Sequence, residues 1–259
     1  MERMAEEIIG WILDEKVKPG QNLNQGDLIV FAAEENPLRK AGLVVTADCD
    51  LEKRKHGLLI TLVPVVPVRV ILERYLLIEA CEKQRANIFR YVCDEFSIEF
   101  RDDENFAAAE LRDKVETQEK VGPDEIKKIA ADFILNQLEV LTWSNYKALM
   151  IAIKGGEKGA SALESQLKGK GDIMILPSPS RLGVEGDIAW VRHIWQIPLG
   201  KIAIKTSDVK NNPGERVARL DSPFRYRLTQ IMAQVFSDIG LPDIQRNFKE
   251  DIDGVIGNE

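Results

Sequence analysis

Ala41-Gly42-Leu43-Val44-Val45-Thr46-Ala47-Asp48-Cys49-Asp50-Leu51 decides how the chain is read. Its first six residues are small, apolar or β-branched and are bounded by turn formers, which predicts a strand. Upstream, Gly26-Asp27 leads into a second apolar run, Leu28-Ile29-Val30-Phe31. Downstream, Gly57 precedes a third, Leu58 to Val66. Three short strands at this spacing predict a meander. Both faces of the strands are largely apolar, so they are expected to be buried on both sides or curled into a barrel.

Further outward the pattern changes. Residues 4–16 place Ile8, Ile9, Trp11 and Ile12 in a short amphipathic run that predicts a helix, ended by Lys18-Pro19-Gly20. From Val68 to Phe100 apolar residues recur at steps of three and four without Gly or Pro, again predicting helix. Pro123-Asp124-Glu125 opens another predicted helix that carries Ile126 to Leu149 and stops at Gly155-Gly156. A shorter one is expected over Glu157–Lys168. Strand character returns at Asp172–Leu176, Asp187–Ile197 and Arg216–Leu220. The closing helix is predicted over Ser222–Ile239, with Ser222 as N-cap and Pro223 in the first turn.

A chain of 259 residues can bury a core without staples, and 44% apolar with 30% charged residues is a globular balance. No apolar run approaches the ~20 residues that span a bilayer. The opening residues lack the basic flank and apolar stretch of a signal peptide, and the expected location is cytoplasmic. Three cysteines, Cys49, Cys81 and Cys93, have no metal-ligand spacing and read as reduced thiols. A net charge of −7 disfavours a protein that coats nucleic acid, because phosphate binding draws on Lys and Arg.

Asp48 and Asp50 are the first candidate site. On a strand, two carboxylates at i and i+2 point the same way, about 7 Å apart, and could share a divalent cation. The preferred alternative has the acids capping the turn into Lys53-Arg54-Lys55, with Cys49 turned into the core. A metal-dependent nuclease strand would need Glu-x-Lys, whereas Glu52 is followed by Lys53 and Arg54. His193, between two tryptophans, is a candidate base, although a structural role is preferred. On the closing helix, Arg225, Arg227 and Gln230 lie off the apolar stripe and are candidate partner contacts, against the plainer reading of a solvated face. No Walker loop, dinucleotide fingerprint, nucleophile elbow or His-Glu-x-x-His occurs, and no cofactor is expected.

Two of these stretches, Thr46-Ala47-Asp48-Cys49-Asp50-Leu51 and Ser222-Pro223-Phe224-Arg225 through Gly240-Leu241-Pro242, together resemble a loose group of uncharacterised bacterial proteins. The resemblance covers the two ends and leaves the middle unmatched. It implies an accessory component of a small multi-gene system for phage defence or signalling. The first block is also similar in layout to the MazF/PemK toxin barrel, with Gly26–Val30, Arg39–Val45 and Ile60–Val66 as its strands. That family cuts RNA with an Arg before the second strand and a Thr or Ser after the third. Arg39 or Lys40 stands at the first position, but the second falls near Val65 and Val66 and lacks a hydroxyl.

The expected fold is α+β: a small SH3-like β-barrel split in sequence by a helical insertion, with a C-terminal helix. Residues 1–66 would supply a helix and the first barrel half, 67–170 the insertion, 171–220 the second half, and 221–259 the closing helix and tail. The expected function is a non-catalytic adaptor or recognition subunit, with proteins of the same system as partners and self-association left open. The alternative is a nucleic-acid-processing enzyme, a MazF-like ribonuclease or a metal-dependent nuclease, that uses the Asp48/Asp50 corner, with Arg39 and His193 as further catalytic candidates.

Overall fold

The computed structural model describes residues 8–13, 22–99, 109–115, 124–156, 158–204, 208 and 210–237. Its strands are β1 (Trp11–Leu13), β2 (Asp27–Val30), β3 (Ala41–Val44), β4 (Leu59–Val66), β5 (Ile173–Ile175), β6 (Ile188–Trp190), β7 (Trp195–Pro198), β8 (Ile202–Ala203) and β9 (Gly214–Leu220). Its helices are α1 (Asp48–Glu52), α2 (Val68–Ile71), α3 (Leu77–Glu82), α4 (Arg85–Phe96), α5 (Glu125–Ile134), α6 (Trp143–Ala152), α7 (Ala160–Lys168) and α8 (Ser222–Ser237). A π-helical turn, Leu72–Leu76, joins α2 to α3, and residues 109–115 are also helical.

The fold is a mixed α+β arrangement around one curled, half-barrel sheet. The strands run in the order β1-β9-β2-β3-β4-β6-β5, with β7 added to β4 and β8 to β9. Every pair is antiparallel except the two-residue β8–β9 contact. Strand β4 produces the curl. Leu59–Leu62 pair with β7, whereas Val65 and Val66 pair with β6, so one long strand serves two neighbours in succession. Across Leu28/Ile29 the register shifts because β9 carries one extra residue, Val217, which bends β9 against β2.

The period of two along the strands sorts side chains onto two apolar faces. Leu28, Leu43, Val63, Val65 and Leu220 pack with Leu228 and Ile231 of α8. Ile29, Val44, Ile60 and Leu62 face the other way, under Leu23, Phe31 and Ile202, with Trp195 and Ile197 folded over them. Helices α2 to α7 enclose a third cluster, which reaches the sheet through Val66, Ile188 and Trp190. The sheet is therefore apolar on both sides, which is why its strands do not alternate between polar and apolar residues.

Four expectations are corrected. The predicted helix over residues 4–16 is strand at Trp11–Leu13, hydrogen-bonded to β9, and Trp11 Nε1 donates to the Pro177 carbonyl. Pairing the edge of β9 outweighs the helical spacing of four apolar residues; residues 8–10 turn into the strand, and residues 4–7 and 14–16 lie outside the described residues. The helix from Asp124 breaks after Ile134. Asn136 adopts a left-handed φ of 56°, Gln137 N donates to the Asp132 carbonyl, and Thr142 accepts from Asn145 N to start α6. Leu138 and Leu141 continue the apolar spacing but only anchor the loop between. The helix from Val68 likewise pauses at Lys83-Gln84 and ends at Phe96, with Ser97 left-handed. Finally, Asp187–Ile197 is two strands separated by a 3₁₀ turn, Val191–His193. The last residues of the predicted closing helix, and Gly240 with Pro242, lie outside the described residues.

Candidate functional site

Asp48 and Asp50 do not lie on a strand. Ala47 is extended and accepts the N–H groups of Asp50 and Leu51, so the chain turns into α1 at Asp48. Residues two apart on a helix are about 200° apart around its axis, which separates the two carboxylates. Asp48 Oδ1 accepts from Gln25 N at 2.7 Å and from Asn24 Nδ2 at 3.1 Å, and Oδ2 lies 3.7 Å from Arg225 Nη1. Cys49, expected in the core, is exposed, with its thiol 3.8 Å from Asp50 Oδ1. The other two thiols are buried; burial pushes Cys81 up to about 12 and raises Cys93 as well, which makes both inert. Among the described residues no three His, Cys, Asp or Glu side chains converge to hold a metal ion.

The same contact fixes the first of the candidate partner residues. Arg225 is turned inward to Asp48, so the two motifs from opposite ends of the chain meet in space. Its side chain also closes over Gly26, whose φ of 87° sets the turn into β2. Thr229, one turn along α8, receives Gln25 Nε2 at 3.4 Å. Arg227 and Gln230 bond to each other at 2.9 Å on the exposed face and take no part in this junction.

Beneath the junction lies a charged group that the sequence reading missed. Asp27 is completely buried and takes Arg219 Nε at 2.6 Å on one oxygen and Nη2 at 3.3 Å on the other. Asn24 N donates to it at 2.8 Å, and Arg216 lies 3.8 Å away. Burial raises the carboxyl above the ordinary aspartate value, against the pull of these donors and cations. This is a structural tie across β2 and β9. Its partner stands 192 residues away, so no local signal could have found it.

Arg39 occupies a different place, about 340 Å³ of open groove shared with Lys201, Gln196, Phe31 and Trp195. The two aromatic rings are seated by glycines. A β-carbon on Gly42 would collide with the Trp195 indole, and one on Gly214 with Phe31. The guanidinium of Arg39 has no ion pair among the described residues. Val65 and Val66, where the toxin family's hydroxyl would stand, are buried valines.

His193 ends the 3₁₀ turn that follows β6. Its ring lies against Trp190 at a tilt of 51°, with centroids 3.8 Å apart. Loss of water against that ring holds its pKa below the ordinary 6.5; Arg192 acts in the same direction and Asp172 opposes. Asp172 is buried, with Oδ2 bonded to Arg192 Nε at 2.8 Å and Oδ1 without a hydrogen-bond partner among the described residues. Among the described residues no hydrogen bond or ion pair joins Asp48, Arg39 and His193 to one another.

An apolar cleft lies elsewhere. An open cleft of about 490 Å³ lies between the helical layer and the sheet's outermost strand, β5. Leu72 and Leu76, on the π-helical turn, and Leu163 and Leu167 of α7 face Ile173 and Ile175 across it. Ile175 is 71% exposed and Val68, at the cleft's mouth, 41%. Lys168 at the rim is paired to Glu164 at 2.6 Å. π-helical turns concentrate at functional positions because they disturb helix packing to present side chains. The sequence held a weak signal for this cleft, in the alternation Ile173-Met174-Ile175, whose Met174 faces the core.

Comparisons of the chain with protein families, with curated proteins and with solved structures find no match.

Proposed function

We propose that the chain is a non-catalytic adaptor or recognition subunit of a multi-protein bacterial system of the phage-defence or signalling kind. Its fold is taken as an SH3-like half-barrel split by a helical insertion, with residues 171–220 returning to complete the sheet. The observation that carries this reading is the apolar cleft beside β5, with Ile175 and Val68 exposed at its mouth. Exposed apolar surface of this kind marks contact with another molecule. The acidic corner supports the same reading. Asp48 is engaged by Gln25 N, Asn24 and Arg225, which suits a structural junction better than an open, polar reaction cleft.

A complex assay tests this. The chain is co-expressed with the products of its neighbouring genes and passed over a size-exclusion column. A stable complex is expected that Leu167→Glu with Ile175→Asp dissolves, and that Asp48→Ala with Asp50→Ala leaves intact. A divalent-dependent nuclease activity, abolished by the two alanine substitutions in a protein that still folds, would overturn the adaptor reading.

A second reading rests on the Arg39 groove. Two cations, Arg39 and Lys201, beside the faces of Trp195 and Phe31 suit a base stacked on an aromatic ring with its phosphate paired. Under this reading the chain processes RNA, and cleavage of single-stranded RNA falls to background with Arg39→Ala. The buried valines at positions 65 and 66 leave the groove without the family's hydroxyl, and the adaptor reading is preferred.

A further inference from the structure

Among the described residues, β5 pairs on one side only. Leu176 N donates to the Asp187 carbonyl, and Val191 N donates to the Asp172 carbonyl. With Met174 opposite Ala189, these fix residues 172, 174 and 176 as the ones that bond to β6. In an antiparallel pair the intervening residues turn their N–H and C=O groups the other way. The main-chain groups of Ile173 and Ile175 therefore face outward from the last strand of the sheet. Their side chains line the apolar cleft, opposite Leu163 and Leu167.

The charges at one end of this edge are also unbalanced. Glu185 and Asp187 are exposed beside β5 and share a second groove of about 480 Å³ that continues the cleft past Ile175. The cations that line these grooves are already engaged: Arg69 with Glu73 at 2.9 Å, and Lys168 with Glu164 at 2.6 Å. No described cation is paired with Glu185 or Asp187. An occupant that satisfies the whole surface must supply an extended main chain, apolar side chains at alternate positions, and a positive charge at the Asp187 end.

We propose that β5 is a strand-addition site for an extended peptide segment of a partner protein. The peptide pairs its main chain with Ile173 and Ile175, buries alternate apolar side chains against Leu163 and Leu167, and sets a Lys or Arg against Asp187 and Glu185. Strand addition draws affinity from main-chain hydrogen bonds and specificity from pockets for alternate side chains. This rests on the adaptor reading and names the chemistry of its partner. It also accounts for an exposed isoleucine on a sheet edge, a position that otherwise invites edge-to-edge association.

The test uses the full chain and a synthetic peptide. A phage-displayed library of random peptides is selected on the immobilised protein, and the most enriched sequence is synthesised with a fluorophore. Its affinity is then measured by anisotropy. Enriched sequences should be apolar at every second position with Lys or Arg at one end. Ile175→Pro removes an outward N–H without touching a bond to β6, so the fold should survive, which a thermal melt checks. Each main-chain bond lost should weaken binding about five- to tenfold. N-methylating the peptide's alternate amides in one frame should weaken it similarly and in the other frame hardly at all, a comparison that leaves the protein unaltered. Asp187→Lys should weaken binding and shift the preferred end residue to Asp or Glu.

Enriched peptides that ignore both Ile175→Pro and N-methylation overturn strand addition and leave the adaptor reading standing. A dimer of the chain that dissociates on Ile175→Pro overturns it in favour of a second copy at this edge. Failure of any peptide to enrich, together with failure of the co-expressed neighbours to form a complex, overturns both.

Discussion

At the scale of single residues, the strongest constraint is Asp27. It is held by two nitrogens of Arg219, by Asn24 N and by the charge of Arg216, with Asp27 and Arg216 buried and Arg219 partly so. Desolvation alone would make the carboxylate costly, and removing it would leave two arginines facing an empty site. Breaking one side of a buried ion pair costs about 3–5 kcal/mol. Asp27→Ala is therefore expected to lower unfolding stability by about that amount in a urea titration, and Asp27→Asn by clearly less because it keeps an acceptor. An effect within about 0.5 kcal/mol, the range of ordinary surface substitutions, would show that the cluster is solvated. Asp48, by contrast, is 44% exposed in its side chain, and its pair with Arg225 orients α8 more than it stabilises the fold.

At the scale of elements, two glycines seat the rings that cover one face of the sheet. The Trp195 indole of β7 reaches over β3 because Gly42 presents no side chain to it, and Phe31 reaches past Gly214 in the same way. Overpacking of this kind costs about 1–3 kcal/mol. Gly42→Ala should cost that much and shift the tryptophan emission, whereas Gly200→Ala, with open space at its β-carbon, should do neither. Much of this level was legible in the sequence. The runs at Leu28, Ala41 and Leu58 are bounded by Gly, Pro and charged turns, and each is a strand within a residue or two. The errors share one cause. Periodicity records which residues are apolar, not where the chain stops or what pairs with it. Trp11 lies on a strand because β9 supplies an edge roughly two hundred residues later, and Asp48 turns into helix because Ala47 accepts two N–H groups. The candidate site was less legible still. The cleft at β5 is made by α7, the π-helical turn and a three-residue strand, which only the folded chain brings together.

At the scale of the whole molecule, the question is whether residues 67–170 stand alone. The strands before and after them pair within one sheet: β9 lies between β1 and β2, and β6 lies against β4. The helical cluster is not closed on itself either. Val66 at the end of β4, and Ile188 and Trp190 of β6, are fully or nearly buried within it, and Tyr75 meets Trp190 edge-on with centroids 5.9 Å apart. Unfolding the helices would strip these sheet residues of their cover, and unfolding β6 would open the floor of the helical core. The two layers should therefore lose structure together. In a Trp143→Phe variant, whose remaining tryptophans Trp11, Trp190 and Trp195 all lie on the sheet, urea unfolding followed by far-ultraviolet circular dichroism, dominated by the helices, should coincide with the tryptophan emission. Ile188→Ala should cost about 2–5 kcal/mol and move both curves by the same amount. Two separated transitions, with only the tryptophan curve displaced by Ile188→Ala, would instead make the helices an independent unit carried by the sheet. The cleft at β5 would then lie on a boundary between two units.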